Sequence, residues 1–432
     1  MDDRLDVSRR TFIQTTAAAT AAMVFPSGVR LAGSDVIRVG VVGCGGRGTG
    51  AARDCLRSSD GVELVALGDL TADRLAQCRT ALAEAAAKDA AFGEKLKVTE
   101  DRCFVGFDAY EKVLASDIHL VILATPPGFR PAHLAAAVEA GKHIFAEKPV
   151  AIDAAGVRAV LATYEQARQK GLGIGVGTQR RHQAEYLATI RRIQDGAIGD
   201  VVSGQVFWNQ GGLWSREPRP EWTDAEWQIR NWLYFTWLSG DHIVEQHVHN
   251  IDVANWVMGA HPVKATGVGG RQSRIEPRFG HIYDHFAVDF EYGSGARVLS
   301  MCRQIGGTRN RIGEHFIGTK GRSSTDAGTI AGANPWKYEA PERRVSPFVQ
   351  EHTDLVASIR SGSPYNELKQ VAESTLTAIM GREAAYTGQE VAWDELLNAD
   401  QDLTPPQVVF GPLDVPPVAL PGRTKLARRW NE

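Results

Sequence analysis

The chain has 432 residues, a formal net charge of −3 and an ordinary share of hydrophobic and charged residues. That length sets an expectation of two or three domains, and the near-neutral charge gives no reason to expect nucleic acid or an anionic membrane as a partner. Five cysteines (44, 55, 78, 103 and 302) without C-x-x-C spacing point to neither a disulfide framework nor a zinc site.

The first segment reads as an address. Ser8-Arg9-Arg10-Thr11-Phe12-Ile13 has the twin-arginine pattern, and the alanine-rich run from Thr15 to Phe25 follows it. That run is too short to span a bilayer. Twin-arginine signals send folded proteins across the membrane. Residues 1–34 are therefore expected to be a signal and leader, with the export machinery as a partner and the periplasm as destination.

Residues 35–150 alternate strand and helix. Strands are predicted at 36–42, 62–68, 119–124 and 143–146, and helices at 47–58, 71–91, 108–115 and 131–141. A helix at 153–170 and a strand at 173–177 continue the pattern. Such alternation predicts an α/β Rossmann domain with a parallel, doubly wound sheet. Gly43-Cys44-Gly45-Gly46-Arg47-Gly48 follows the first strand, and Asp69 ends the second, 21 residues after Gly48. In a G-x-G-x-x-G turn the first glycine makes the bend, the second admits a pyrophosphate, and the third lets helix pack on strand. The helix N-terminus then faces the phosphate charge. Gly43, Gly45, Gly46, Arg47 and Gly48 are thus expected at the phosphates of a dinucleotide and Asp69 at its adenosine ribose. A carboxylate there repels a 2′-phosphate. Leu70 and Thr71 follow it, and Arg74 is the nearest basic residue, so NAD is expected over NADP.

Residues 151–400 predict a second, α+β domain with an open, mostly antiparallel sheet. Its strands are expected at 200–210, 263–270, 284–292, 296–304 and 313–317. Helices are expected at 184–195, 241–258, 346–360 and 368–386. Residues 401–432, Pro-rich between Pro405 and Pro421, predict an arm lying on this subunit or on a neighbour.

Glu147-Lys148-Pro149 ends the strand at 143–146, which puts it beside the cleft. A lysine there can hydrogen-bond a hydroxyl and favour its alkoxide as hydride leaves. On one helix over 241–258, Glu245 and His249 are i and i+4, with Asp252 a turn further on. A carboxylate beside an imidazole is a usual way to orient a general base. His242, His247, His249 and Glu245 also admit a metal reading. His247 and His249 fall on different helix faces, and no metal is expected. Trp208, Trp214, Trp222, Trp227, Trp232 and Trp237 are six of the ten tryptophans. Their spacing fits neither a helix face nor a strand and reads as a long loop. Exposed indoles suit carbohydrate rings, with Trp208, Trp214 and Trp232 as candidates. The same residues could instead fasten the loop to the core or to another subunit, and both readings stand.

These residues resemble the Gfo/Idh/MocA family, the glucose-fructose oxidoreductase and inositol dehydrogenase group, over roughly residues 36–390. The resemblance rests on Gly43 to Gly48, Asp69, Ala124-Thr125-Pro126 with His133, Gly141-Lys142-His143, Glu147-Lys148-Pro149 and His249-x-x-Asp252. It implies that Lys148 and His249 are the catalytic pair and that Glu245, standing where the family usually has aspartate, assists the histidine. It places Thr125, Pro126, His133 and Glu147 at the cofactor, and Gln179, Arg180, Arg181 and Asp252 toward cofactor or substrate. It also implies a homodimer or homotetramer. The expected function is an exported NAD-dependent oxidoreductase acting on a sugar or glycoside hydroxyl. Free NAD is scarce outside the cytoplasm, so the cofactor is expected to be tightly bound. One alternative is a redox glycosidase that oxidises transiently, eliminates and re-reduces. That route needs a further base, for which Tyr234 and Tyr283 are candidates. Another is a non-catalytic sugar- or nucleotide-binding protein on the same fold.

Overall fold

The computed structural model describes residues 36–342 and 344–431. The twin-arginine segment lies outside them. The first layer is a six-stranded sheet of β1 (Ile37–Val42), β2 (Val62–Asp69), β3 (Cys103–Val105), β4 (Leu120–Leu123), β5 (His143–Ala146) and β6 (Ile174–Val176). Its order is β3-β2-β1-β4-β5-β6, with every pairing parallel. The four side chains of β4 are all fully buried, as a strand covered by helices on both faces must be. The covering helices are α1 (Gly46–Ser58), α2 (Ala72–Lys88), α3 (Ala90–Glu94), α4 (Ala109–Leu114), α5 (Arg130–Glu139) and α6 (Ala154–Gln169). The single helix expected at 71–91 is two, because the Asp89 carboxylate accepts the Phe92 N–H at 3.2 Å and caps a new turn. The short β3 carries no periodicity and was not expected. The parallel sheet also runs past residue 150, since β6 pairs with β5.

The second layer follows α7 (Ala184–Gln194). Its sheet joins β7 (Val201–Gln210), β8 (Pro262–Gly270), β9 (His285–Tyr292), β10 (Arg297–Gln304), β11 (Arg311–Gly318), β12 (Gly321–Ser324), β13 (Thr329–Gly332), β14 (Trp336–Lys337) and β15 (Val391–Ala392). The order is β14-β13-β12-β11-β7-β10-β9-β8-β15, and only β7 with β10 is parallel. Along β9, Phe286, Val288, Phe290 and Tyr292 point into the core while the residues between them do not. Each such apolar side chain contributes roughly 1.5–3 kcal/mol by burial. The opposite face carries a cross-strand row of Val268, Ala287, Met301 and Phe207.

Helices α8 (Asp224–Arg230), α9 (Thr236–Ser239), α10 (His242–Glu245) and α11 (Val248–Met258) follow β7, and α12 (Pro347–Arg360) packs on α1 and β6 of the first layer. Next come α13 (Leu368–Thr387) and the short α14 (Trp393–Leu397). Helix α13 packs against α6 on one side and against α11, β8 and β9 on the others, which explains why nearly all of it is buried. Alanine, threonine and glycine make that approach possible. A Cβ at Gly381 would stand 3.0 Å from the Phe290 ring.

The helix expected over 241–258 is broken. One helix ends at Glu245 and the next begins at Val248, and between them His247 Nε2 meets Ser300 Oγ at 2.8 Å. Asp241, at φ +76°, anchors the segment's start. Its carboxylate accepts the Tyr283 N–H and the Tyr386 hydroxyl. The C-terminal arm lies on this subunit. Strands β16 (Gln401–Asp402) and β17 (Arg428–Arg429) pair with each other. Leu413 accepts from Gln228, and Arg428 pairs with the fully buried Glu383 at 2.6 Å.

Two glycines of the first turn cannot be replaced. Gly43 has φ +96°, and a Cβ at Gly48 would sit 1.8 Å from the Gly43 carbonyl oxygen. Gly48→Ala should cost about 1–3 kcal/mol of stability, read as a lowered midpoint of denaturant unfolding. An unchanged midpoint would show that the turn is not held this tightly.

Candidate active site

A cleft of about 470 Å3 opens at the carboxyl ends of β1, β2 and β4. This is where an open parallel sheet places ligands, at the point where strand order reverses. Gly43, Gly45, Gly46 and Arg47 form one edge, and Asp69, Leu70, Thr71 and Arg74 form the next. Cβ atoms at Gly45 and Gly46 would meet nothing within 4 Å. The backbone there therefore faces open space, as a phosphate-binding turn requires. Asp69 accepts the Cys44 N–H at 2.7 Å through one oxygen and the Thr71 N–H at 2.9 Å through the other. Burial raises its carboxyl above the ordinary value, offset in part by those hydrogen bonds.

Thr125, Pro126 and His133 line the same cleft. Their turn is fixed by Arg130, buried at 1% exposure, whose guanidinium donates to the Leu123 and Thr125 carbonyls at 2.6 Å each. His133 stacks on Tyr110 at 4.3 Å and meets Thr125 Oγ1 at 3.2 Å. Burial pushes its imidazole down to about 3. Arg130, Phe107, Tyr110 and Phe129 escaped the sequence reading, since nothing in their spacing separates them from ordinary core residues.

Trp214 and Trp232 line the same cleft as the glycine turn. They close the cofactor cleft from the second domain, 6.4 Å apart edge to face, beside Arg216 and Arg230. Trp227 and Trp237 belong to the core, and Trp222 lies under Arg219 and Arg230. Within this one stretch, indoles fasten the loop and also wall the cleft.

The second cluster lies beyond the end of β5. Lys148 Nζ donates to the Glu245 backbone carbonyl and to Glu245 Oε1, the latter at 2.9 Å. Both side chains are about nine-tenths buried. Glu245 therefore pairs with the lysine and not with His249, because the break at 246–247 ends the helix that would have stacked them. His249 lies instead along the Trp208 ring at 5.7 Å, with Nδ1 buried and without a hydrogen-bond partner among the described residues. Burial holds its imidazole well below the ordinary value, reinforced by the charges of Lys148, Arg180 and Arg47. Glu147, the neighbour of Lys148, pairs with Arg47 at 2.5 Å and ties the glycine turn to the same edge.

Other expected ligand contacts are committed elsewhere. Arg181 and Asp252 form a bidentate pair at 2.9 and 2.8 Å, and Asp252 also accepts from Ser374. Their hydrogen-bonding groups are thus largely engaged with each other and with Ser374. Arg180 pairs with the fully buried Glu314 at 2.7 Å while its guanidinium covers Trp208, so it stays beside His249. Gln179 has a buried amide oxygen without a hydrogen-bond partner among the described residues. Tyr283 is 2% exposed, its hydroxyl donates to Ala419 in the arm, and burial pushes it up to about 12. Its hydroxyl is thus committed to the arm. Tyr234 likewise donates to the Trp214 carbonyl at 2.8 Å. The three histidines of the metal reading diverge. His242 meets Asp241, His247 meets Ser300, and His249 meets Trp208.

Fold and cleft together define a two-domain, dinucleotide-binding oxidoreductase architecture. The model of the oxidoreductase family with NAD-binding Rossmann fold (GFO_IDH_MocA) matches residues 37–177, and that of the GFO/IDH/MocA C-terminal domain matches 186–324. The chain belongs to the Gfo/Idh/MocA family. A twin-arginine translocation signal model matches residues 6–26. Inositol 2-dehydrogenase 3 of Saccharopolyspora erythraea is 27% identical over 61% of this chain and 65% of its own. Inositol 2-dehydrogenase of Rhizobium meliloti is 28% identical over 48% of this chain and 57% of its own. The chain thus spans less than two thirds of the length of either. Among solved structures, scyllo-inositol dehydrogenase from Lactobacillus casei with bound NAD(H) and scyllo-inositol superposes with a TM-score of 0.62. It covers 83% of this chain and 99% of its own at 20% identity. Aldose-aldose oxidoreductase from Caulobacter crescentus also gives 0.62, with the same coverage at 19% identity. These two show a shared fold.

The buried imidazoles set a pH window. Burial lowers His133, His247, His281 and His352 to about 3 and His143 to about 4. The unfolded chain takes up protons near 6.5 and the folded chain does not. Stability is therefore full above about 6.5 and falls as pH drops, by about 1.4 kcal/mol per pH unit for each imidazole. His182 runs the other way. Burial alone would lower it, but Asp354 and Glu367 raise it to about 9, so its contribution is present below 6.5 and lost as pH rises through about 9. Thermal unfolding scans should give a Tm maximum near pH 6.5, with a steep fall on the acid side and a shallower decline from His182 between about 6.5 and 9. A Tm that rises on acidification from 6.5 to 5 would contradict these assignments.

Proposed function

We propose that this chain is an exported oxidoreductase that takes hydride from a hydroxyl-bearing carbon of a sugar, cyclitol or glycoside. The observation that carries this reading is a buried lysine, paired with Glu245, near a neutral, buried histidine at the strand edge that Glu147 ties to the glycine turn. The residues fit a dinucleotide: a glycine turn facing open space, a carboxylate at the end of β2, and a cleft of a cofactor's size. When bound, the nicotinamide ring supplies the hydride acceptor.

His249 is neutral at working pH and takes the hydroxyl proton. Lys148 donates to the hydroxyl oxygen and favours its alkoxide. Glu245 positions that lysine through its carboxylate and its backbone carbonyl. Trp208 and Arg180 keep the imidazole in place and exclude water. The polyol class is supported by the names of the relatives, which are inositol and aldose enzymes. Asp69 supports NAD, whose ribose hydroxyls it can accept from. The twin-arginine signal supports a periplasmic destination and a cofactor carried in tightly bound, because a folded enzyme is exported with what it holds. The apolar outer row of the second sheet, with Val268 70% exposed, supports a homodimer or homotetramer.

Lys148→Ala and His249→Ala should each lower kcat by about a hundredfold or more on an accepted polyol. Both should retain bound nucleotide, measured by mass after denaturation. If both variants kept full activity, the catalytic assignment would be wrong. Nucleotide near one equivalent per chain is expected in the purified mature protein, and little or none would remove the resident-cofactor reading.

A further inference from the structure

The C-terminal arm runs past the cofactor cleft on a fixed path. At its start the Leu403 N–H donates to Asp153 Oδ2 at 2.7 Å, and Asp153 caps α6 of the first layer. Near its end the Ala419 carbonyl accepts the Tyr283 hydroxyl at 2.9 Å, and Arg428 pairs with Glu383. Between these anchors lie Pro405, Pro406, Pro412, Pro416 and Pro417. Each proline ring fixes its backbone φ, so ordering this stretch costs less chain entropy than ordering a common loop.

The middle of the arm meets two elements that line the cleft. The first is the loop after β3. Phe410 packs its ring against Phe107, centroids 5.1 Å apart, and Phe107 lines the cleft beside Asp69 and Leu70. That loop is fastened in place, since the Gly106 N–H donates to the Asp69 carbonyl at 3.1 Å. The second element is α8. Its Ala225 N–H donates to the Gly411 carbonyl at 3.1 Å, and Gln228 Nε2 donates to the Leu413 carbonyl at 2.8 Å. Val408 and Leu413 pack on the small core that holds Trp227, Ile229 and Leu233. The last turn of α8 brings Ile229 and Arg230 to the cleft. Arg230 grips Asp73, in the first turn of α2, with two bonds at 2.9 and 3.0 Å. That grip holds the Asp73 carboxyl down at about 2. Arm, α8 and α2 thus form one chain of contacts along the cleft wall.

We propose that the arm is a working part of the cofactor site: Phe410 backs Phe107, the Gly411-Pro412-Leu413 turn holds α8, and residues 405–414 thereby slow the release of a bound dinucleotide. The proposal rests on the dinucleotide reading of the cleft. These arm residues act through Phe107 and α8, so they are positioning residues. A wall that is held from behind cannot retreat as the ligand leaves, and changes to such a wall appear mainly in the off-rate.

The test uses the full mature chain loaded with NADH. Excess NAD is added, and release is followed as the loss of energy transfer from tryptophan to NADH. Phe410→Ala should release NADH about threefold faster than wild type or more. Leu420→Ala, also exposed on the arm but beyond the α8 contacts, should release it at the wild-type rate. In wild type, NADH should also slow amide hydrogen exchange in residues 224–230 and 405–414. An acceleration below threefold in Phe410→Ala, an equal one in Leu420→Ala, or exchange in both segments unchanged by NADH would overturn the role of the arm and leave the dinucleotide reading intact. Failure of wild type to hold NADH at all would overturn both.

Discussion

The contact between Lys148 and Glu245 is what the rest of the site depends on. Lys148 stands at the carboxyl end of β5, in the parallel sheet, while Glu245 ends α10, which belongs to the second layer. Two buried charges at 2.9 Å are favourable only when their remaining hydrogen bonds are met. The lysine meets one of its own with the Glu245 carbonyl. The pair thus fixes one layer against the other and sets the ammonium beside the imidazole that follows the break in the chain. Asp241, Tyr283 and Tyr386 hold the front of that segment, and His247 with Ser300 holds its turn. Around His249, burial and the nearby cations hold the ring neutral.

Much of the first domain was legible. Strand and helix alternate with clear apolar runs, and the glycine turn followed by Asp69 places the cleft from spacing alone. The strands of the second sheet were also readable from alternation, as at β9. What escaped was governed by contacts distant in sequence. The break at Gln246-His247 depends on Ser300, 53 residues away, and no local signal marks it. Glu245 and His249 have helical spacing, so the sequence joined them where the fold does not. Arg181 and Asp252 looked free for a ligand because neither reveals the other as its partner. Tyr283 is covered by an arm that begins more than a hundred residues later. Trp214 and Trp232 were recognised as unusual, but only the fold shows that their loop crosses to the cofactor side.

That crossing bears on how an exported enzyme could keep its cofactor. A dinucleotide in this cleft would be walled on one side by the parallel sheet and on the other by Trp214, Arg216 and Trp232 of the second domain. Leaving would mean parting aromatic and cationic contacts from a loop whose backbone is held at three points.

The most direct measurement is a crystal structure of the mature protein with NAD and an accepted polyol. One hydroxyl of the polyol should lie about 3 Å from both Lys148 Nζ and a ring nitrogen of His249, with its carbon facing the nicotinamide. A polyol seated away from both, or ring-stacked at Trp214 and Trp232 in place of the cofactor, would contradict the account.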